Sequence, residues 1–170
     1  MVLLSVGNTD IFSATIQQPA QLESLANNAL SKGIDRYRQQ DYEGAIREFR
    51  RSIGLAPNST HSTSASSYMA NAYMALGDTE GAIKAYKDAI HRSPDRDDIY
   101  NSLGNLYFSE GRYDEAAETY EKAVKIYSSS DNHYALGQAY LNAGRYSEAD
   151  REFNTVLRME PDKPAGYYGL

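Results

Sequence analysis

Small and aromatic residues recur along this chain on one ruler. Aligned on Ala45, Ala82, Ala116 and Ala149, the sequence repeats itself at intervals of roughly 34 residues. An aromatic follows each alanine by four residues (Phe49, Tyr86, Tyr120, Phe153), and Ser52, Ala89, Ala123 and Val156 come three further on. Twelve residues before each alanine the side chain is minimal: Gly33, Ala70, Gly104 and Gly137. A unit this short cannot bury its apolar face alone, so the repeat demands a stack in which each unit covers its neighbour.

The clearest copy is 97–130. Tyr100, Leu103, Leu106 and Tyr107 fall at helical spacing, and Ala116, Tyr120, Ala123 and Val124 do so again. Between the two runs Gly111 can adopt the positive φ that ends a helix and turns the chain. Gly77 and Gly144 hold the same place in two other copies, with Gln40 in the first. Pro57, Pro94 and Pro161 stand where a proline stops a second helix without breaking it. Gly104 lies inside a helix, where glycine costs about 1 kcal/mol relative to alanine. That cost is explained if the second helix approaches too closely for a larger residue. The expected partners are Ala116 for Gly104, and Ala45, Ala82 and Ala149 for Gly33, Ala70 and Gly137. Each unit is thus a hairpin of two helices. Eight of the 15 tyrosines sit on recurrent positions, as packing residues with a hydroxyl at the rim.

These residues carry a resemblance. The order of small residue, aromatic, turn glycine, Tyr, Ala, aromatic, Ala and Pro is similar to the tetratricopeptide repeat (TPR). In that register the units are about 26–59, 63–96, 97–129 and 130–163. The resemblance implies an all-α fold: a right-handed superhelical solenoid of antiparallel helix pairs, with four units over 23–163 and a truncated fifth starting at 164–170. Residues 1–22, whose only charge is Asp10, are expected to be a leader, either flexible or docking through Val6, Ile11, Phe12 and Ile16. The serine-rich stretch from Ser59 to Ser67 adds about three residues between units one and two, and Tyr127-Ser128-Ser129-Ser130 replaces a closing proline. Both are expected in connections, where extra length is cheap. Arg36 replaces the recurrent tyrosine (Tyr73, Tyr107, Tyr140) in the first unit. The exposed side of the fourth unit (Phe153, Val156, Leu157) has only a stub to cover it, which reads as a fragment of a longer protein or an end that meets another copy.

Composition removes several functions. A net charge of −6 argues against nucleic acid or an anionic membrane as partner. No apolar run approaches membrane-span length, and the apolar start lacks the basic flank of a signal peptide. With no cysteine, thiolate metal sites and disulfides are excluded, compatibly with the cytoplasm. His61, His91 and His133 are scattered, so no metal site is expected. Asp114, Glu115, Glu118 and Glu121 beside Lys122 and Lys125 read as a solvated helix face, not an acid–base dyad. No serine lies in a nucleophile elbow and no glycines cradle a phosphate. Neither catalysis nor a cofactor is expected.

The surface left for function is the inner wall. The resemblance implies that ligands contact first-helix positions held here by Asn27, Leu30, Ile34, Tyr37 and Arg38; Ser64, Ser67, Asn71, Met74 and Ala75; Asp98, Asn101, Asn105, Phe108 and Ser109; and Asp131, Tyr134, Gln138, Leu141 and Asn142. Asn71, Asn105 and Gln138 occupy one recurrent position, and Asn101–Asn105 and Gln138–Asn142 are i, i+4 pairs. Primary amides both donate and accept, so a row of them can bond the backbone of an extended peptide, with Met74, Phe108, Tyr134 and Leu141 lining apolar pockets. The other reading of these amides is that they bond neighbouring helix ends or water. Relatives that bind the acidic tails of heat-shock chaperones use a Lys, Asn and Arg clamp; its basic positions here carry Ser67, Asp131 and Ala135, and only Asn71 matches. With Asp98 and Asp131 nearby, a neutral or basic segment is the expected guest. Two other readings are self-association through the C-terminal end or the leader, and the targeting arm of a longer enzyme.

Overall fold

The computed structural model describes the backbone of residues 8–161 and the side chains of residues 18–161. Among these residues there are eight α-helices and no strand: α1 Asn8–Arg38, α2 Tyr42–Leu55, α3 Thr60–Ala75, α4 Thr79–Arg92, α5 Asp97–Ser109, α6 Tyr113–Ile126, α7 Ser130–Asn142 and α8 Tyr146–Met159. The chain divides into two compact units, residues 1–85 and 86–170, the division falling inside α4. In the first, α2 packs against both α1 and α3. In the second, α5 packs on α6, α6 on α7 and α7 on α8.

One turn design joins the helices of every hairpin. Gln40, Gly77, Gly111 and Gly144 all have φ between 63° and 76°. The next residue then donates its N–H back over the turn: Asp41 to Arg36 O, Asp78 to Tyr73 O, Arg112 to Tyr107 O and Arg145 to Tyr140 O, at 2.8–2.9 Å. This satisfies a carbonyl that the helix end would otherwise leave open. That same residue begins the second helix. Asp41 accepts from Gly44 N at 2.9 Å and Asp78 from Gly81 N at 2.8 Å, as N-caps do. Arg112 and Arg145 cannot accept; each reaches forward to a glutamate, Arg112 to Glu115 and Arg145 to Glu148.

The small recurrent residues meet rings. A Cβ added to Gly33 would lie 2.5 Å from the Phe49 ring, to Gly104 2.6 Å from Tyr120, and to Gly137 2.6 Å from Phe153. The expected partner was the alanine; the residue that sets the close approach is the aromatic four places later. The physical reason is reach, since a planar ring projecting from one helix can lie flat on the bare backbone of the other. The alanines are fully buried or nearly so, Ala45, Ala82 and Ala116 at 0% exposure and Ala149 at 2%.

Two boundary expectations change. Residues 8–22, expected as part of a leader, are the first part of α1, a single helix that passes through Pro19. The first buried side chain described on α1 is nevertheless Ala26, where the repeat register begins. The docking reading of Val6, Ile11, Phe12 and Ile16 falls outside the described side chains. The serine-rich insertion is not a connection either. Ser59 caps α3 by accepting from Ser62 N, and the extra residues form its first turn. Ser129 does the same for α7 through Asn132 N. Arg36, the exception to the tyrosine rule, binds Asp41 across its turn at 2.5 Å.

Valine at Gly104 is expected to overpack the Tyr120 contact and cost roughly 1–3 kcal/mol. Alanine at Gly54, where an added Cβ meets nothing within 4 Å, is expected to stabilise by up to about 1 kcal/mol. Gln40→Gly removes a left-handed Cβ and is expected to add about 1 kcal/mol. Urea unfolding followed by circular dichroism checks all three.

Candidate functional site

The expected ligand positions divide between the two compact units. Asn71 and Met74 lie on α3 in the first, half-buried and exposed respectively. The other seven lie on α5 and α7 in the second. There α5 and α7 are bonded directly: Asn101 Nδ2 donates to Asn132 Oδ1 at 2.7 Å. Asn132, buried on α7, donates in turn to Tyr127 O at 2.7 Å and to Asp97 Oδ2 at 3.3 Å. Asn101 is therefore a fastening between helices. This asparagine relay escaped the sequence reading because Asn132 is an unremarkable third residue after a capping serine.

The remaining amides are partly committed. Asn105 Oδ1 accepts from the Tyr120 hydroxyl at 2.6 Å, while its amino group has no partner among the described residues. Gln138 donates to the Tyr134 hydroxyl at 3.2 Å, and Asn142 donates to the Gln138 backbone carbonyl at 2.8 Å. The carbonyl oxygens of both side chains are left open among the described residues. Phe108 and Leu141 are half-buried on the same two helices, Phe108 set edge-on to Tyr113 with centroids 5.2 Å apart. Tyr134 leans on Phe153 at 6.0 Å. Asp98 is gripped by Arg96 at 2.6 Å, whose hydrogen bond holds its carboxyl below the usual range. Asp131 is exposed and has no ion-pair partner among the described residues.

On the other side of α5 lies a cavity of about 380 Å³ between the end of α4 and α6, walled by Tyr100, Leu103, Tyr107 and Ile90 and rimmed by Lys87, Arg112, Glu115, Glu118 and Lys122. The Arg112 guanidinium stacks 4.6 Å from the Tyr107 ring centre and also hydrogen-bonds Glu115, keeping that carboxyl low. Arg145 repeats the arrangement on Tyr140 at 4.4 Å, with Glu148 as its acid. Such stacks fix the turn and desolvate the ring face. Among the described residues no group of three or more acidic or histidine side chains could hold a metal ion, and no helix is long and apolar enough to cross a membrane.

Two tetratricopeptide repeat family models match this chain, over residues 69–131 and 107–170. The chain belongs to the tetratricopeptide repeat family. Among curated relatives, it is 34% identical over 114 residues to the small glutamine-rich tetratricopeptide repeat-containing protein 2 of Mycosarcoma maydis, covering 65% of this chain and 29% of that protein. It is 30% identical over 110 residues to the photosystem I assembly protein Ycf3 of Prochlorococcus marinus (strain NATL2A), covering 56% of this chain and 64% of the relative. The match thus spans less than a third of the first relative and just under two thirds of the second. Among solved structures, a MamA crystal structure superposes with a TM-score of 0.70 at 22% identity, over 94% of this chain and 97% of MamA. The Pseudomonas aeruginosa pilF structure gives 0.66 at 19%, over 85% and 65%. These likenesses establish the TPR fold: helix pairs, repeated.

The Tyr120 hydroxyl, buried beneath the α5–α6 contact, has its pKa pushed up from 10.0 to about 12 by desolvation. The folded state therefore keeps a proton that the unfolded chain releases. The resulting stability is complete below pH 10 and is lost as pH rises through about 12. Thermal midpoints are expected to fall across that window, and Tyr120→Phe to remove part of the fall.

Proposed function

We propose that this TPR chain is a non-catalytic interaction module that receives an extended protein segment along α5 and α7. The supporting observation is the set of hydrogen-bonding atoms left over on that surface once internal bonds are counted. Asn105 offers a donor, and Gln138 and Asn142 offer acceptors, beside the half-buried Phe108 and Leu141. A peptide backbone presents the complementary set at regular spacing, whatever its side chains. Asn101, spent on Asn132, is not among the contacts.

The guest is neutral or basic, because Asp131 is exposed and uncompensated and the whole chain carries −6. Protein partners, not nucleic acid, fit that charge. The relatives' names agree in kind, one being a photosystem assembly protein and another a glutamine-rich repeat protein.

Selection of displayed random peptides on the whole chain is expected to enrich neutral or basic extended sequences. Phe108→Ala should weaken a selected peptide by about 1–2 kcal/mol and Gln138→Ala by about 1 kcal/mol, while Glu118→Ala on α6 leaves binding unchanged. Enrichment of acidic peptides, or affinity indifferent to both α5 and α7 substitutions, would overturn the reading.

A further inference from the structure

Consecutive hairpins are bonded to one another by a rule that one junction breaks. Five residues after its recurrent alanine, a second helix carries Arg50, Lys87 or Glu121; nine residues before the next alanine stand Tyr73, Tyr107 and Tyr140. Arg50 donates to the Tyr73 hydroxyl, and the Tyr140 hydroxyl donates to Glu121 at 2.5 Å. Between α4 and α5 the pair is Lys87 and Tyr107. There the ammonium lies 5.9 Å over the ring, and the hydroxyl has no hydrogen-bond partner among the described residues.

A second bridge is missing at the same place. In the last hairpin His133 holds Glu152 at 2.5 Å, whereas Tyr100 and Thr119 occupy those positions here. Thr119 turns its hydroxyl to the Glu115 carbonyl of its own helix. The Tyr100 hydroxyl has no partner among the described residues. Side chains that bridge α7 to α6 and to α8 are thus replaced, around α5, by ones that leave the cavity of about 380 Å³ open.

That cavity has the build of a small-molecule site. Tyr100, Leu103 and Tyr107, each no more than 8% exposed, form its floor with Ile90. Its volume falls within the roughly 300–1,000 Å³ of pockets that enclose small organic molecules. Of the charged groups at its rim, Arg112 and Glu115 are spent on each other. Lys87 and Lys122 then stand against Glu118, none with an ion-pair partner among the described residues. Two cations face one anion, in a chain whose net charge is −6.

We infer that this cavity binds a small flat monocarboxylate. Its apolar body lies against Ile90, Tyr100 and Leu103, and its carboxylate is drawn to the Lys87 and Lys122 ammonium groups and the Tyr107 hydroxyl. All three donate, and a carboxylate only accepts, so every bond is charge-assisted. The site is separate from the α5–α7 surface and does not rest on a peptide binding there.

The probes are 2-naphthoate, 2-naphthamide and 2-naphthylmethylamine, one ring system carrying three different charges. The chain has no tryptophan, so naphthalene fluorescence anisotropy reports binding to the whole chain. Naphthoate is expected to bind about tenfold more tightly than the amide, with the amine weakest. Lys122→Gln should weaken naphthoate about threefold, and Glu118→Gln should tighten it. Lys87→Glu supplies the acid that Tyr140 has. It should abolish naphthoate binding, with the thermal midpoint held or raised as the Tyr107 hydroxyl gains a partner. Lys125→Gln, exposed on α6 outside the cavity, and Gln138→Ala on α7 should bind naphthoate as the parent does, so failure of the peptide surface and failure of this site are read separately. No naphthoate binding, equal binding of the three probes, or naphthoate affinity unchanged in Lys87→Glu overturns the inference. So does a glutamate-rich peptide that occupies the cavity and that naphthoate fails to displace.

Discussion

An aromatic ring lying on a residue without a side chain sets the distance between paired helices. Phe49 on Gly33, Tyr120 on Gly104 and Phe153 on Gly137 leave no space for even one added carbon. The ring buries its whole face against backbone, gaining dispersion and excluding water at once. The buried alanines then let the helices stay close along the rest of the crossing. Other features of the hairpin follow from that closeness. The turns need only three residues, and one residue both closes the first helix and opens the second. A local design of this kind builds the fold from contacts within a unit and with the next, which is how a repeat protein stays stable without a single large core.

Polar side chains then fasten the hairpins at their rims. Tyrosine hydroxyls reach across to the neighbouring helix, Tyr120 to Asn105, Tyr73 from Arg50 and Tyr140 to Glu121. Burial, with the Glu121 carboxylate beside it, holds Tyr140 firmly in its neutral form. The asparagine relay of Asn101 and Asn132 adds a fastening where the closing proline is missing. Asn101 is spent in that relay, whereas the amino group of Asn105 has no partner among the described residues.

The comparisons also bound what can be carried over. The chain spans under a third of one curated relative and just under two thirds of another. Whatever those proteins do as wholes comes to this chain only as a proposal. The repeat architecture, in contrast, is common to all of them and needs no transfer, because it is visible in these residues directly.

Much was legible before any coordinates. The period fixed helix type and turn positions, down to Gln40 standing in for glycine with φ of 63°. These are local properties: spacing, backbone freedom and side-chain size act within a few residues. Where the reading failed, the missing information was spatial. The sequence names a small residue and an alanine twelve apart, but only geometry shows that the ring sixteen places away lies between the helices. It names Asn101 as a free amide, and only tertiary structure brings Asn132 within 2.7 Å. His133 and Glu152 look unrelated along the chain because their contact depends on two helices closing. Periodicity determines which residues must be buried; folding alone decides which polar groups then find one another, since a hydrogen bond is settled by tenths of an ångström that no spacing rule encodes.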